Sequence, residues 1–150
     1  GRGSLLNFAI GQGDVLATPI QIIQIINVIA TEGKIYSPKI NIDIPSRHRE
    51  VKLSPDTWKG MKESIYRAVN SNSGTGRSAK IDISEGKIYG KTSTSQNPHG
   101  ETHSGFSGYI ELDNKQLMSI VIIVEHGGKG SSIATIIANR LFKYFSENYK

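Results

Sequence analysis

Residues 18–34, TPIQIIQIINVIATEGK, constrain the fold more than any other part of the sequence. Thr18 is a natural helix N-cap, Pro19 suits the first helical position and Gln21 completes a capping box. Apolar side chains surround most of the predicted helix, and only a stripe of Gln and Asn is polar. The sequence therefore predicts a helix near 19–31 that is largely buried and needs other elements to cover several of its sides.

Two further helices are predicted from their starting residues and their apolar spacing. Ser54 and Pro55 repeat the start with a cap and a proline, which predicts an amphipathic helix near 55–70. Its apolar positions are Trp58, Met61, Ile65 and Val69. The C-terminal segment predicts a third helix, capped by Ser131 or Ser132. Its predicted apolar side consists of Ile133, Ile136, Ile137, Leu141, Tyr144 and Phe145.

Three β-strands are predicted between the second and third helices, at about 87–95, 104–111 and 116–125. A tight turn at residues 113–114 joins the last two strands, so this part of the sheet is antiparallel. Residues 34–53 contain two prolines and short runs of alternating isoleucine, which predict a loop with one or two short strands. The 150 residues fit one domain, and the predicted fold class is α+β, an antiparallel sheet with packed helices.

Charge and composition narrow the possible partners without choosing one. The chain has 18 Lys and Arg against 13 Asp and Glu, a net charge of +5 that favours membrane headgroups, wall polymers or nucleic acid. There is no basic block with interleaved aromatic residues, so no nucleic-acid partner is predicted.

The lack of Cys excludes a disulfide or a thiol nucleophile. Because the sequence begins without Met or a signal peptide, we expect a piece of a longer protein.

The loop VEHGGKGSS lies between a predicted strand and a predicted helix, where a phosphate group could bind. It does not match the G-x-x-x-x-G-K-[ST] pattern, because Ile123 takes the place of the first glycine and Gly130 follows Lys129. A tight turn that binds no ligand explains the segment equally well. Residues 70–87 are also predicted to form a loop, in which Gly74 and Gly76 allow positive φ.

Histidine spacing offers a candidate metal site. His99 and His103 could share a metal ion, with His126 or Glu101 as a third ligand. They lie in a segment rich in Pro and Gly rather than on a helix, so their spacing fixes no common face. Histidines that form hydrogen bonds or line a cleft are the better interpretation, and neither a metal nor a cofactor is predicted.

The predicted strand IYGKTSTS carries one lysine beside four small hydroxylated residues, where a strand built only for packing would use more Val and Ile. With a period of two, its polar residues divide into Lys91, Ser93 and Ser95 on one face and Thr92 and Thr94 on the other. An edge strand also offers backbone N–H groups that can bind a developing oxyanion. The alternative is a polar edge strand without a catalytic role, whose lysine prevents it from pairing with another chain.

The segment GKTSTSQNPHGETHSGFSGY resembles the K-T-G motif region of the penicillin-binding proteins, the serine transpeptidases of peptidoglycan synthesis. GQGDVLATPIQ upstream and VIIVEHGGKGSS downstream also resemble class B members of this family, those of rod elongation above all. The resemblance covers nearly the whole chain. It covers only the C-terminal half of the family's catalytic domain.

The resemblance implies roles for four residues. Lys91 would be the cation of the third motif, facing the cleft. Thr92 and Thr94 would bind the carboxylate of a terminal D-Ala or of a β-lactam, and the backbone N–H of Thr94 would donate to the oxyanion. Ser93 replaces the family's glycine and is expected to alter substrate affinity.

The other two family motifs have only short matches: Ser84-x-x-Lys87 for S-x-x-K, and Ser95-x-Asn97 and Ser146-x-Asn148 for S-x-N. Ser84 lies up to about 23 Å from Lys91 along an extended chain, and Gly86 disfavours the helical turn that a serine and its lysine base require. Ser95 lies on the same strand as Lys91, whereas the site needs several elements that converge. In the family both motifs precede the GQG segment, so this chain is predicted to be inactive alone.

The resemblance therefore implies the C-terminal portion of a D,D-transpeptidase domain, spanning residues 1–150. The parent would be anchored in the inner membrane and act outside the cytoplasm on peptidoglycan stem peptides. Its other partners would be β-lactam antibiotics and the N-terminal half of the catalytic domain. Two alternatives remain open: a non-catalytic β-lactam-sensing or wall-binding module of the same fold, and a phosphate-binding regulatory domain that uses Gly127 to Ser131.

Overall fold

The structure is a computed structural model that describes residues 3, 5–6, 16–83, 86–97 and 99–149. In chain order the main elements are α1 (Pro19–Ala30), β1 (Lys34–Tyr36), β2 (His48–Glu50), α2 (Pro55–Asn70), a 3-10 helix (Arg77–Ala79), β3 (Gly86–Ser95), β4 (His103–Leu112), β5 (Leu117–Val124) and α3 (Ile133–Asn148). The predicted α+β class is confirmed.

Strands β3, β4 and β5 form an antiparallel sheet with β4 in the middle. The register is continuous from the pair Gly86 and Leu112 to the pair Ser95 and His103. Within the described residues no strand pairs with the second edge of β3. A small separate sheet consists of β1 and β2. The three predicted strands and their antiparallel arrangement are confirmed.

Helix α1 begins as predicted, but the prediction that it is largely buried is wrong for the described part of the chain. The capping box is present, with Gln21 N–H donating to Thr18 Oγ1 at 3.3 Å. Ile26 is the buried residue of the helix, whereas Ile25 on another side is 59% exposed. The reason is that α1 packs through one side, where Ser119 Oγ on β5 donates to Asn27 Oδ1 at 2.6 Å.

The short strands predicted within residues 34–53 are present as β1 and β2, but the alternating isoleucines lie between these strands. Ile40, Ile42 and Ile44 lie in the exposed loop between β1 and β2. The ammonium group of Lys39 donates to the carbonyl oxygens of Ile42 (3.2 Å) and Ile44 (2.6 Å), so these groups are satisfied within the loop. A two-residue period without a pairing partner was therefore a false strand signal.

The main core lies between α3 and one face of the sheet. Helix α3 contributes Ala134, Ala138, Phe142 and Phe145, and the sheet contributes Ile88, Phe106 and Ile110. The predicted apolar side of this helix is therefore largely wrong, because Ile133, Ile136, Leu141 and Tyr144 are exposed. The two alanines allow a closer approach to the sheet than isoleucine would. Ser132 occupies the N-cap position, but its hydroxyl donates to the carbonyl of Gly127 at 3.0 Å instead of capping the helix.

Helix α2 follows the prediction more closely. It begins at Ser54, whose hydroxyl accepts from Thr57 N–H at 3.2 Å, and it buries Trp58 and Val69, whereas Met61 is exposed. On the sheet face opposite α3, the rings of Tyr89 and Tyr109 stack at a centroid distance of 4.6 Å. No helix among the described residues combines the length and apolar character of a membrane span.

Candidate active site

The outer edge of β3 is held by the last residue of α2. Asn70 Nδ2 donates to the carbonyl oxygen of Ile88 at 2.8 Å. Because this carbonyl is bound from the helix side, it points away from β4. In an antiparallel pair the N–H and C=O of one residue point the same way, and this direction alternates along the strand. The uninterrupted register from 86 to 95 therefore directs the backbone groups of Thr92 and Thr94 to the same outer edge.

Lys91 brings a positive charge to this edge. Its side chain is exposed, and its ammonium group donates to the carbonyl oxygen of Thr92 at 3.0 Å. This carbonyl is one of the outward-pointing groups, so the ammonium lies beside the part of the strand that also carries the Thr94 N–H. A cation and a backbone donor at one edge can together stabilise an oxyanion or a carboxylate.

Thr92 faces the opposite side of the strand from Lys91 and is only 9% exposed. Its hydroxyl donates to Thr75 Oγ1 at 3.0 Å. Direct contact between the Thr92 hydroxyl and a ligand would require this bond to break. No sequence pattern identifies Thr75 as part of the site, because its only distinguishing feature in the sequence is its place between two glycines in a loop.

The side chain of Thr94 is hydrogen-bonded by the loop that precedes α3. The N–H of Gly130 donates to Thr94 Oγ1 at 2.9 Å. A Cβ at Gly130 would overlap the backbone of Ser93, so only glycine permits the loop to lie this close to β3. On β4, Ser104 donates to the carbonyl of Lys129 at 2.9 Å. These bonds occupy polar groups that a phosphate-binding loop would direct at its ligand, which argues against the phosphate-binding alternative.

Ser93 lies on the same face of the strand as Lys91 and is exposed. It stands opposite Gly105 of β4, and a Cβ at Gly105 would overlap Ser93 Oγ. The missing side chain on β4 therefore provides the room that the serine needs.

Three of the histidines, His99, His103 and His126, take part in hydrogen bonds. The N–H of His126 donates to His103 Nδ1 at 3.0 Å, and the two rings meet edge to face at 5.2 Å. His99 donates its N–H to Asn97 Oδ1 at 3.0 Å. In the described part of the chain, no group of three or more His, Asp or Glu residues is arranged to hold a metal ion.

Among the short matches to the other motifs, Ser84 and the GQG segment lie outside the described residues. Ser95 lies on β3 itself, paired with His103. Ser146 is buried on α3, where its hydroxyl donates to the carbonyl of Lys143 at 2.8 Å. Neither Ser95 nor Ser146 stands on a separate element that faces Lys91 across a cleft.

The chain is similar in sequence to known proteins. The family model of the penicillin-binding protein transpeptidase domain matches residues 2–143. The peptidoglycan D,D-transpeptidase MrdA of Haemophilus influenzae is 28% identical over 170 residues, covering 96% of this chain and 26% of that protein. The chain thus spans well under two thirds of the length of this curated relative.

Solved structures share the fold. Penicillin-binding protein PBP2 of Helicobacter pylori, solved in complex with MreC, is 27% identical with a TM-score of 0.78, covering 99% of this chain and 28% of that one. Penicillin-binding protein A from M. tuberculosis, solved as an imipenem acyl-enzyme, is 20% identical with a TM-score of 0.71. Its alignment covers 90% of this chain and 32% of that one. The similarity to class B members inferred from the sequence is confirmed.

Proposed function

Because the chain belongs to the transpeptidase domain family of penicillin-binding proteins, we propose that it is the C-terminal portion of a catalytic domain that cross-links peptidoglycan. Its part in the reaction is to stabilise the negative charge that develops while the acyl group is transferred. It supplies the cation and the backbone donor, and a serine of the N-terminal half of the catalytic domain attacks the carbonyl carbon of the donor peptide and receives the acyl group.

The observation that carries this proposal is the common edge of Lys91 and Thr94. The Asn70–Ile88 hydrogen bond of 2.8 Å sets which backbone groups point outward, and the Lys91 ammonium lies 3.0 Å from one of them. As the serine attacks, negative charge develops on the carbonyl oxygen, and the proposed role of the Thr94 N–H is to donate to it. The Lys91 ammonium favours the same negative charge and assists proton transfer.

Of the two threonines expected to bind the substrate's terminal carboxylate, Thr94 is the exposed one, and its side chain is assigned that role. The rotamer of Thr94 is fixed by the N–H of Gly130, which prepares its hydroxyl for a ligand. Thr92 is buried and bound to Thr75, so it contributes mainly through its outward-facing carbonyl. Ser93 is exposed on the same face of β3 as Lys91, where its side chain affects how well the ligand fits.

The proposed substrates are peptidoglycan stem peptides ending in D-Ala, and β-lactams are the corresponding inhibitors. The H. influenzae relative is named a peptidoglycan D,D-transpeptidase, and the M. tuberculosis neighbour forms an acyl-enzyme with imipenem. These relatives are bacterial cell-wall proteins. We accordingly propose that the full protein is anchored in the inner membrane with this domain on the extracytoplasmic side, where the net charge of +5 suits anionic wall polymers.

The test is acylation of the full-length protein by a fluorescent penicillin. Lys91→Ala should lower the acylation rate at least about a hundredfold, the scale for loss of a group that transfers protons or stabilises charge. Lys87→Ala is the matched control, because Lys87 is exposed on the same face of β3, four residues earlier. Wild-type rates in Lys91→Ala would refute the assignment. Labelling without any cross-linked product would favour the non-catalytic β-lactam-sensing alternative.

A further inference from the structure

The tripeptide Gly74–Thr75–Gly76 forms hydrogen bonds with both the last turn of α2 and strand β3. Thr75 is exposed, yet its Oγ1 accepts a 3.0 Å hydrogen bond from the hydroxyl of Thr92, which is only 9% exposed. One surface residue thus satisfies a buried polar group on the strand that carries Lys91. A buried hydroxyl that loses its partner is costly, so the pair has one favoured geometry.

The position of Thr75 is set by close backbone packing. The N–H of Gly76 donates to the carbonyl of Ala68 at 2.8 Å. A Cβ at Gly74 would overlap that same carbonyl oxygen, and one at Gly76 would lie 3.1 Å from it. Neither glycine has a positive φ, contrary to the conformational role suggested by the sequence. The glycines are needed because the segment presses against the last turn of α2.

This segment is the second point at which the end of α2 is bonded to β3. The first is the bond from Asn70 to the carbonyl of Ile88. Ile88 and Thr92 are four residues apart, about 13 Å along an extended strand, so the two bonds fix both the position and the direction of this stretch. The second bond is made by Thr92, which directly follows Lys91 and lies two residues before Thr94.

We propose that Thr75 is a positioning residue for acyl transfer, holding Thr92 so that the Lys91 ammonium and the Thr94 N–H keep their common edge. The inference rests on the proposed function. Thr75 acts through Thr92: their hydrogen bond fixes the residue whose carbonyl binds the Lys91 ammonium at 3.0 Å. Its hydroxyl, and not its bulk, is the required feature, because the side chain is exposed and contributes little to the core.

The experiment measures the acylation of the full-length protein by fluorescent penicillin, separating the rate constant from the fraction of protein labelled. Thr75→Val keeps the shape and removes the hydroxyl, and it should lower the rate constant about three- to tenfold. Thr75→Ser should restore the rate to within about twofold of wild type, because it returns the hydroxyl. Ser78→Ala, which removes an exposed hydroxyl from the 3-10 helix that follows this loop, should change the rate less than about twofold.

The double variant at positions 75 and 92 tests whether Thr75 acts through Thr92. If Thr75 acts through Thr92, Thr75→Val together with Thr92→Val should be no slower than the slower single variant. A role confined to stability would lower the melting temperature and the labelled fraction while the rate constant stayed at the wild-type value. That outcome would overturn the proposal. It would also be overturned if Thr75→Ser did not restore the rate, or if the losses of the two single variants added up in the double variant. Absence of labelling in the wild-type protein would instead overturn the proposed function, and this inference with it.

Discussion

Ser93 on β3 lies directly opposite Gly105 on β4, and a Cβ added at Gly105 would overlap the Ser93 hydroxyl oxygen. By its resemblance to the K-T-G motif, Ser93 takes the place of a glycine, so the strand carries a side chain on the face shared with Lys91. The neighbouring strand has no side chain at the matching position. A side chain at position 105 is therefore expected to be tolerated better when residue 93 is glycine.

Replacing Ser93 with glycine should preserve or increase acylation of the full-length protein by fluorescent penicillin. The change removes bulk beside Lys91, whereas the backbone groups of Thr92 and Thr94 are retained. Ser95→Gly is a matched control, since Ser95 is an exposed serine on the same strand face. A loss greater than about tenfold in Ser93→Gly, with unchanged thermal stability, would reveal a positive role for the serine hydroxyl.

Gly105→Ala should destabilise the protein by about 0.5–1 kcal/mol, because the atom that the new Cβ overlaps is the end of the exposed Ser93 side chain, which must leave its rotamer. Ser93→Gly in the same background should recover most of that loss, because the remaining Ser93 atom near the new Cβ is the backbone oxygen at 3.4 Å. Thermal unfolding of the two single variants and the double variant measures the coupling. Additive effects would show that the overlap is relieved elsewhere.

The 150-residue chain alone should form no covalent adduct with excess benzylpenicillin. It contributes the cation and the backbone donor, but a transition state is stabilised only when a nucleophile reaches the carbonyl carbon. Intact-mass spectrometry makes the measurement, with the full-length protein as the positive control. A stoichiometric adduct that disappears in Ser84→Ala would show that the chain carries its own nucleophile.

Tyr109→Phe should raise the free energy of unfolding by about 1 kcal/mol. The Tyr109 side chain is fully buried, and its hydroxyl has no hydrogen-bond partner among the described residues. The variant removes this unsatisfied group and keeps the ring stacked on Tyr89 at 4.6 Å. Tyr89→Phe is the comparison, because it changes the partner ring without removing the unsatisfied oxygen. Denaturant unfolding would contradict the argument if Tyr109→Phe were the less stable of the two.

Tyr109 should also contribute to loss of stability at high pH. Burial, aided by the neighbouring Tyr89, raises the pKa of Tyr109 far above its ordinary value of 10.0. The neutral phenol is therefore favoured in the folded state, and ionisation of the unfolded chain costs stability as the pH rises above about 10. The stability difference between Tyr109→Phe and wild type should grow from pH 9 to pH 11, as followed by thermal unfolding. A constant difference would exclude this linkage.

Local signals identified the elements well. The cap and proline pairs at Thr18 and Ser54 set the starts of α1 and α2, because a helix start is satisfied by residues within one turn of it. The alternating pattern of β3 correctly separated Lys91 from Thr92. In α3, however, the size of the isoleucines was misleading, and the small Ala134 and Ala138 face the sheet. Which side of a helix is buried depends on what packs against it.

The sequence by itself determined the order of helices and strands, the antiparallel pairing and the motif strand, since these depend on neighbouring residues. Only the tertiary structure decided which edge of β3 faces outward, through the bond between Asn70 and Ile88, and which hydroxyl holds Thr92. Thr75 and Thr92 are 17 residues apart. No spacing or propensity relates them, because their contact exists only after α2, its following loop and β3 have packed together.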